Sequence, residues 1–149
     1  MFRFLPALAR VPGAMWLLAA ALRPRITHRL PMTFGLLSKR PIAPETMACY
    51  LDPVWRNAGI RRDLRKFLVG VHPRHTQAAA RALRDFAKPV LLVWASADKP
   101  FPISLAHRLA ALLPLATVVE IADSLTFVPQ DQPAELVKHI VKFVRVMAD

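Results

Sequence analysis

Residues 89–94 read PVLLVW and residues 117–121 read TVVEI. The first run is apolar without a break and carries β-branched side chains, the pattern of a strand covered on both faces. A strand with one wet face would alternate instead. Between the runs lies the turn ADKPFP, residues 97–102. Then comes a stretch at 103–113 in which Leu105, Leu109, Leu112 and Leu113 fall on one side of a helix that Pro114 ends. After the second run the loop DSLTFVPQDQ, residues 123–132, leads into a last helix starting at Pro133, where proline suits a first helical turn. Leu136, Ile140, Phe143, Val144 and Met147 make its apolar stripe, with Lys138, Lys142 and Arg145 on the wet side. Strand, helix, strand, helix at this spacing predicts two parallel strands joined by a right-handed crossover.

The texture upstream is different. Pro6, Pro12, Pro24, Pro31, Pro41 and Pro44 break residues 1–70 into short helices. Residues 15–22 are apolar almost all round, which predicts a helix covered on several sides. A second helix is predicted at 42–50, with Glu45 near its start, and a third at 57–69. In the third, Ile60, Leu64, Phe67 and Leu68 form one stripe, and Arg61, Arg62, Arg65 and Lys66 occupy the other side. A fourth, rich in alanine, runs from about 75 to 86.

Two strands are few for a stable sheet. A central-type strand with one neighbour exposes a row of backbone N–H and C=O groups on its other edge. Three explanations are open: upstream strands are missing, a partner chain supplies them, or the N-terminal helices cover the edge. The first is the most economical, so the sequence reads as part of a larger fold.

Composition narrows the function classes. The chain has 149 residues, enough for one core, and is 54% hydrophobic, which argues against disorder. Its formal charge is +11, but the basic residues are dispersed apart from Arg61, Arg62, Arg65 and Lys66. With no zinc-ligand spacing, no RNA-binding aromatic motif and no long basic run, a solvated arginine-rich surface is expected rather than a nucleic-acid partner. Cys49 is the only cysteine, so an intrachain disulfide is excluded and a reducing, cytoplasmic setting is expected. The apolar run 11–22 is 12 residues long, short of the roughly 20 needed to span a bilayer, so no transmembrane segment is expected. A secretory signal fits less well than a buried helix, because Ala19, Ala20 and Ala21 run straight into Leu22-Arg23-Pro24-Arg25.

Three stretches carry a resemblance: KPVLLVWASADKPFP at 88–102, AHRLAALLPLATVVEIADS at 106–124, and LTFVPQDQPAELVKHIVKFV at 125–144. Together they resemble the C-terminal end of the α/β-hydrolase superfamily, closest to the group with a helical cap that includes haloalkane dehalogenases and epoxide hydrolases. ACYLDPVWRNAGIRRDLRKFL, residues 48–68, resembles the cap more weakly. The implied fold class is α/β, a partial α/β-hydrolase fold: a helical cap-like segment over 1–85, then a C-terminal βαβα portion of the core over 86–149.

The resemblance also implies site residues. The acid of a catalytic triad falls on Asp98, which would hold a histidine in the correct tautomer and stabilise its charged form. The plainer reading of Asp98 is a turn aspartate that bonds backbone amides. The histidine position falls on Thr126, within Leu125-Thr126-Phe127 where the family has Gly-His-Phe. A threonine hydroxyl titrates far above neutral pH and cannot shuttle a proton. Ala95 stands where the family has glycine. The nucleophile elbow G-x-S-x-G, or its aspartate version, occurs nowhere in a chain with only four glycines, and the oxyanion loop is absent too. His28, His72, His75, His107 and His139 read as surface or helix-face residues. Trp16, Trp55 and Met47 are cap-pocket candidates whose plainer reading is core.

The expectation is a truncated or divergent α/β-hydrolase, hydrolytic by ancestry and inactive as this chain alone, a pseudoenzyme. No cofactor or metal is expected, and a small apolar substrate would be taken only if the fold were completed. Two alternatives stand beside it. One is an interaction module that pairs its open sheet edge with a partner or with itself. The other is a basic protein held at an anionic membrane surface by Phe2 to Leu22.

Overall fold

A computed structural model of the chain describes residues 4–31 and 33–148. Phe2 and Arg3, which the membrane-surface reading enlists, lie outside the described residues. Two short helices open the chain, α1 (Leu5–Leu8) and α2 (Ala14–Ala21), separated by Gly13 at φ 79°, a left-handed conformation that glycine adopts without strain. A 3₁₀ turn at Arg25–Arg29 and a tight loop lead to α3 (Pro44–Arg56), α4 (Ala58–Gly70) and α5 (Pro73–Ala82). Then follow β1 (Val90–Ala95), α6 (Ser104–Ala110), β2 (Ala116–Ile121), the short α7 (Val128–Asp131) and α8 (Pro133–Ala148).

β1 and β2 are parallel, with Val90 opposite Ala116 and Ala95 opposite Ile121. The predicted strand–helix–strand–helix order is therefore present, and each predicted helix is found, although α3 runs on to Arg56, well past its expected end at 50, and α5 stops at Ala82, short of 86. Among the described residues the sheet has two strands, and the second edge of β1 is unpaired. β1 is accordingly only half-buried, with its last residue Ala95 alone fully covered. The PVLLVW run is shaped for more cover than these residues provide. α8 shows the same mismatch. Leu136 packs against the Ala95, Ile121 and Val128 cluster, while Val137, Ile140, Val144 and Met147 of the same helix stay exposed.

The helical part has its own small core. Ala9, Ala14 and Met15 are buried against Leu64, Leu68 and Val69, so α4 lies over the first two helices. The expected stripe on α4 is turned by part of a turn. Phe67 is 69% exposed, whereas Arg61, read as wet, is half-buried. Its guanidinium donates to the carbonyls of Val54 at 2.9 Å and Trp55 at 2.6 Å. These carbonyls belong to the last turn of α3, where a cation complements the helix dipole and satisfies orphan acceptors. Asn57 sits between the two helices, and its side-chain oxygen accepts from the amides of Gly59 and Ile60, capping α4.

The loop ahead of α3 is tight at one point. A Cβ placed on Gly35 would collide with the Arg29 carbonyl oxygen, a backbone atom that cannot rotate away. Gly35→Ala should therefore cost about 1–3 kcal/mol, as overpacking does elsewhere. An unchanged urea midpoint for the variant would show that the 29–35 turn is not held this closely in solution.

Candidate functional site

Asp98 sits just beyond the carboxyl end of β1, where open α/β sheets place ligand-binding and catalytic groups. It is 7% exposed. Its Oδ1 accepts from the Phe101 amide at 2.8 Å and from the Thr126 hydroxyl at 3.0 Å. The first bond closes the ADKPFP turn. The second crosses to the loop after β2. The two residues singled out in the sequence are thus brought into direct contact, Asp98 acting at once as a turn aspartate and as the partner of Thr126. Trp94 braces this turn by donating its indole N–H to the Phe101 carbonyl at 2.7 Å.

The loop that carries Thr126 is held from behind by Asp131. This residue is fully buried. Its carboxylate accepts from the Ser38 hydroxyl at 2.8 Å, the Lys39 amide at 2.9 and 3.0 Å, the Arg40 amide at 3.0 Å and the Leu125 amide at 2.9 Å. The Ser124 hydroxyl lies 3.4 Å away, and the Arg40 guanidinium donates to the Asp131 carbonyl. Burial alone would raise the pKa of this carboxyl. The amides of Leu125, Lys39 and Arg40 and the Ser38 hydroxyl outweigh burial and hold it below its ordinary value. On the surface beside it Asp123, at φ 55°, pairs with Lys39 and Arg40. Hydrogen bonding and charge from Lys39 first, then Arg40, lower its carboxyl as well.

Aromatic packing completes the join. The Phe127 amide donates to the Leu37 carbonyl at 2.6 Å. The Phe127 ring meets Phe34 and Tyr50 edge-on at 6.3 and 6.4 Å, while Phe34 and Tyr50 stack at 6.4 Å. The Thr126 loop is therefore clamped to the segment 34–40 on one side and bonded to Asp98 on the other. Sequence reading missed this clamp. Ser38 and Asp131 are 93 positions apart, and no local spacing announces such a pair. The one available signal was an aspartate just ahead of a helix start, a common place for a carboxylate that collects amides.

A separate cleft of about 840 Å³ lies among the N-terminal helices, and neither Asp98 nor Thr126 lines it. Met47 and Trp55 line it, whereas Trp16 packs against Trp55 at 6.1 Å and is half exposed. Of the five histidines, none approaches the Asp98–Thr126 pair by a hydrogen bond or ion pair among the described residues; His107 instead lies 3.4 Å from Glu120. No group of three or more His, Cys, Asp or Glu side chains comes together among the described residues. No helix there is long and apolar enough to cross a membrane.

No protein-family model matches the chain. Over 63 residues, 42% of this chain, it is 30% identical to an uncharacterized hydrolase, YugF, of Bacillus subtilis strain 168, and the match spans 23% of that protein. Among solved structures it superposes on a mutant of DBJA with a TM-score of 0.70 at 18% identity, over 96% of this chain and 50% of the other. A second, MGS-MChE2, an α/β hydrolase from the metagenome of sediments of the Mar Chica lagoon in Morocco, gives 0.50 at 15% identity, over 62% and 42%. The chain thus spans half or less of the proteins it matches. The likeness is one of fold: this chain, with its parallel pair β1 and β2 and the flanking helices, carries part of an α/β-hydrolase fold.

Proposed function

We propose that this chain is the acid-bearing C-terminal portion of a capped α/β-hydrolase and that, as these 149 residues, it turns over no ester, halide or epoxide. The observation that supports this reading is the 3.0 Å bond from the Thr126 hydroxyl to Asp98. In a working triad the carboxylate would orient an imidazole that takes a proton from the nucleophile and returns it to the leaving group. Here the carboxylate meets a hydroxyl that cannot accept a proton near neutral pH. The sequence also holds no elbow to carry a nucleophile and no oxyanion loop. The residual 10³–10⁴-fold over water that enzymes keep on losing a triad member comes from the oxyanion hole and substrate binding, and this chain lacks that hole.

The exposed edge of β1 and the bare apolar side of α8 favour an arrangement in which further strands and helices, on an upstream segment or a separate chain, complete the core. Such a completed protein would take a small apolar substrate. The test is direct. The purified chain is assayed with p-nitrophenyl acetate and butyrate, a haloalkane and styrene oxide, and background rates are expected throughout. Turnover well above background that disappears in Asp98→Ala would overturn the inactivity claim.

A further inference from the structure

We infer that the cleft among the N-terminal helices is a binding site for a single-chain anionic amphiphile, an oxyanion headgroup on an alkyl tail. The inference stands apart from the hydrolytic reading, since neither Asp98 nor Thr126 lines the cleft.

The first observation is charge. Six basic side chains line the cleft, Arg23, Arg25, Arg29, Lys39, Arg40 and Arg56, against the single acid Asp52. Asp52 is paired with Arg56 at 3.1 Å, and Lys39 and Arg40 are paired with Asp123. That accounts for three of the six. Arg25 and Arg29 make no ion pair among the described residues, and both line the cleft while exposed to solvent. Arg23 is not ion-paired either. Its guanidinium carbon lies 4.5 Å from the centre of the Trp55 ring, a cation–π contact that holds the charge over the cleft.

The second observation is the floor. Leu22, Phe34, Met47, Leu51 and Trp55 line the same space, and Met47 is only 5% exposed. A purely solvated basic face would carry no such apolar surface beneath its arginines. A bare inorganic anion would leave the floor wet, and a neutral hydrocarbon would leave three guanidinium groups without a counter-charge. A carboxylate or phosphate with an alkyl chain satisfies both halves. A volume of about 840 Å³ is within the usual range of small-ligand sites, roughly 300–1,000 Å³.

The test follows tryptophan fluorescence, with Trp55 as the reporter, as decanoate and decyl phosphate are titrated below their micellar concentrations. Decanol, acetate, inorganic phosphate and phosphatidylglycerol vesicles are the other arms. Decanoate and decyl phosphate are expected to saturate. Decanol, acetate and inorganic phosphate should each bind at least about tenfold more weakly, because each lacks one half of the match. Arg25→Glu with Arg29→Glu should weaken decanoate binding about tenfold or more. Arg65→Glu with Lys66→Glu, an equal change in net charge on α4 away from the cleft, should change it by less than about twofold. Should the first pair fail to fold, Arg25→Gln with Arg29→Gln reads the same loss at smaller size.

Equal affinity for decanol, or equal loss in both charge-reversal pairs, would overturn the inference. So would acetate or inorganic phosphate matching the amphiphiles. Retention on phosphatidylglycerol vesicles without any binding of monomeric decanoate would replace it with a membrane-surface role.

Discussion

Asp131→Ala is expected to remove about 3–5 kcal/mol of stability, because several donors, at roughly 1–3 kcal/mol for each one left buried, lose their shared acceptor at once. The carboxylate answers the Ser38 hydroxyl and the amides of Lys39, Arg40 and Leu125, all in a position without solvent access. With alanine there, these donors lose their acceptor and each buried orphan carries a penalty of roughly 1–3 kcal/mol unless water enters. Asp131→Asn is expected to lose less, because an amide oxygen still accepts on one side while its NH₂ faces donors on the other. The pH dependence has a definite sign. The folded pKa of Asp131 lies below its ordinary 3.8, so the native state binds this proton less readily than the unfolded chain. Its contribution is full above that ordinary value and is lost as pH falls through the folded one. Urea melts from pH 7 down to about 2.5 should show a steep acid loss that is much flatter in Asp131→Ala. A wild-type midpoint that stays level through this window, or an alanine variant as stable as wild type at pH 7, would mean the clamp is not formed in solution.

Thr126→His is the second large effect, and it shows only in a completed protein. Joined to an N-terminal half carrying a nucleophile elbow and an oxyanion loop, the histidine version should hydrolyse p-nitrophenyl esters about 10³-fold faster or more than the threonine version. The reason is placement. The Thr126 Oγ1 already lies 3.0 Å from Asp98 Oδ1, so an imidazole on the same backbone can donate one ring N–H to that carboxylate and present the other nitrogen to a nucleophile. Asp98→Asn in the histidine background should then remove most of the gain by fixing the wrong tautomer. In the 149-residue chain alone, Thr126→His should produce an imidazole with a raised pKa by NMR and no turnover. Equal rates for threonine and histidine in the joined protein would show that this loop does not face the reacting atoms.

Much of this architecture is legible from periodicity. PVLLVW and TVVEI announce strands because their apolar runs are short and β-branched, and α6 and α8 announce themselves by leucine and mixed apolar spacing. The contact between Asp98 and Thr126 was legible through the resemblance, since both lie at the carboxyl ends of neighbouring parallel strands. The misplaced features have separate causes. Phe67 and Arg61 exchanged their expected sides because a guanidinium bonded to the end of α3 outweighed a small turn of the apolar stripe. The loop at 123–132 hid a short helix, α7, because its proline, serine and aspartates are ordinary turn residues. The clamp was invisible because buried polar contacts between distant segments follow tertiary geometry, which no window of neighbouring residues encodes.

The clamp also sets an order of events during synthesis on the ribosome. Ser38 must wait for Asp131, 93 residues later, which at roughly 5–20 residues per second is about 5–20 s. Phe127, the other late anchor, is equally remote. Throughout that delay the emerging arm has early neighbours alone, among them Phe34 stacked on Tyr50, His28 at the edge of the same ring, and the local bonds of Thr33 and Gly35 to Leu30. Whatever local order the arm takes up meanwhile, the carboxylate that ties it down is the last of its anchors to be synthesised.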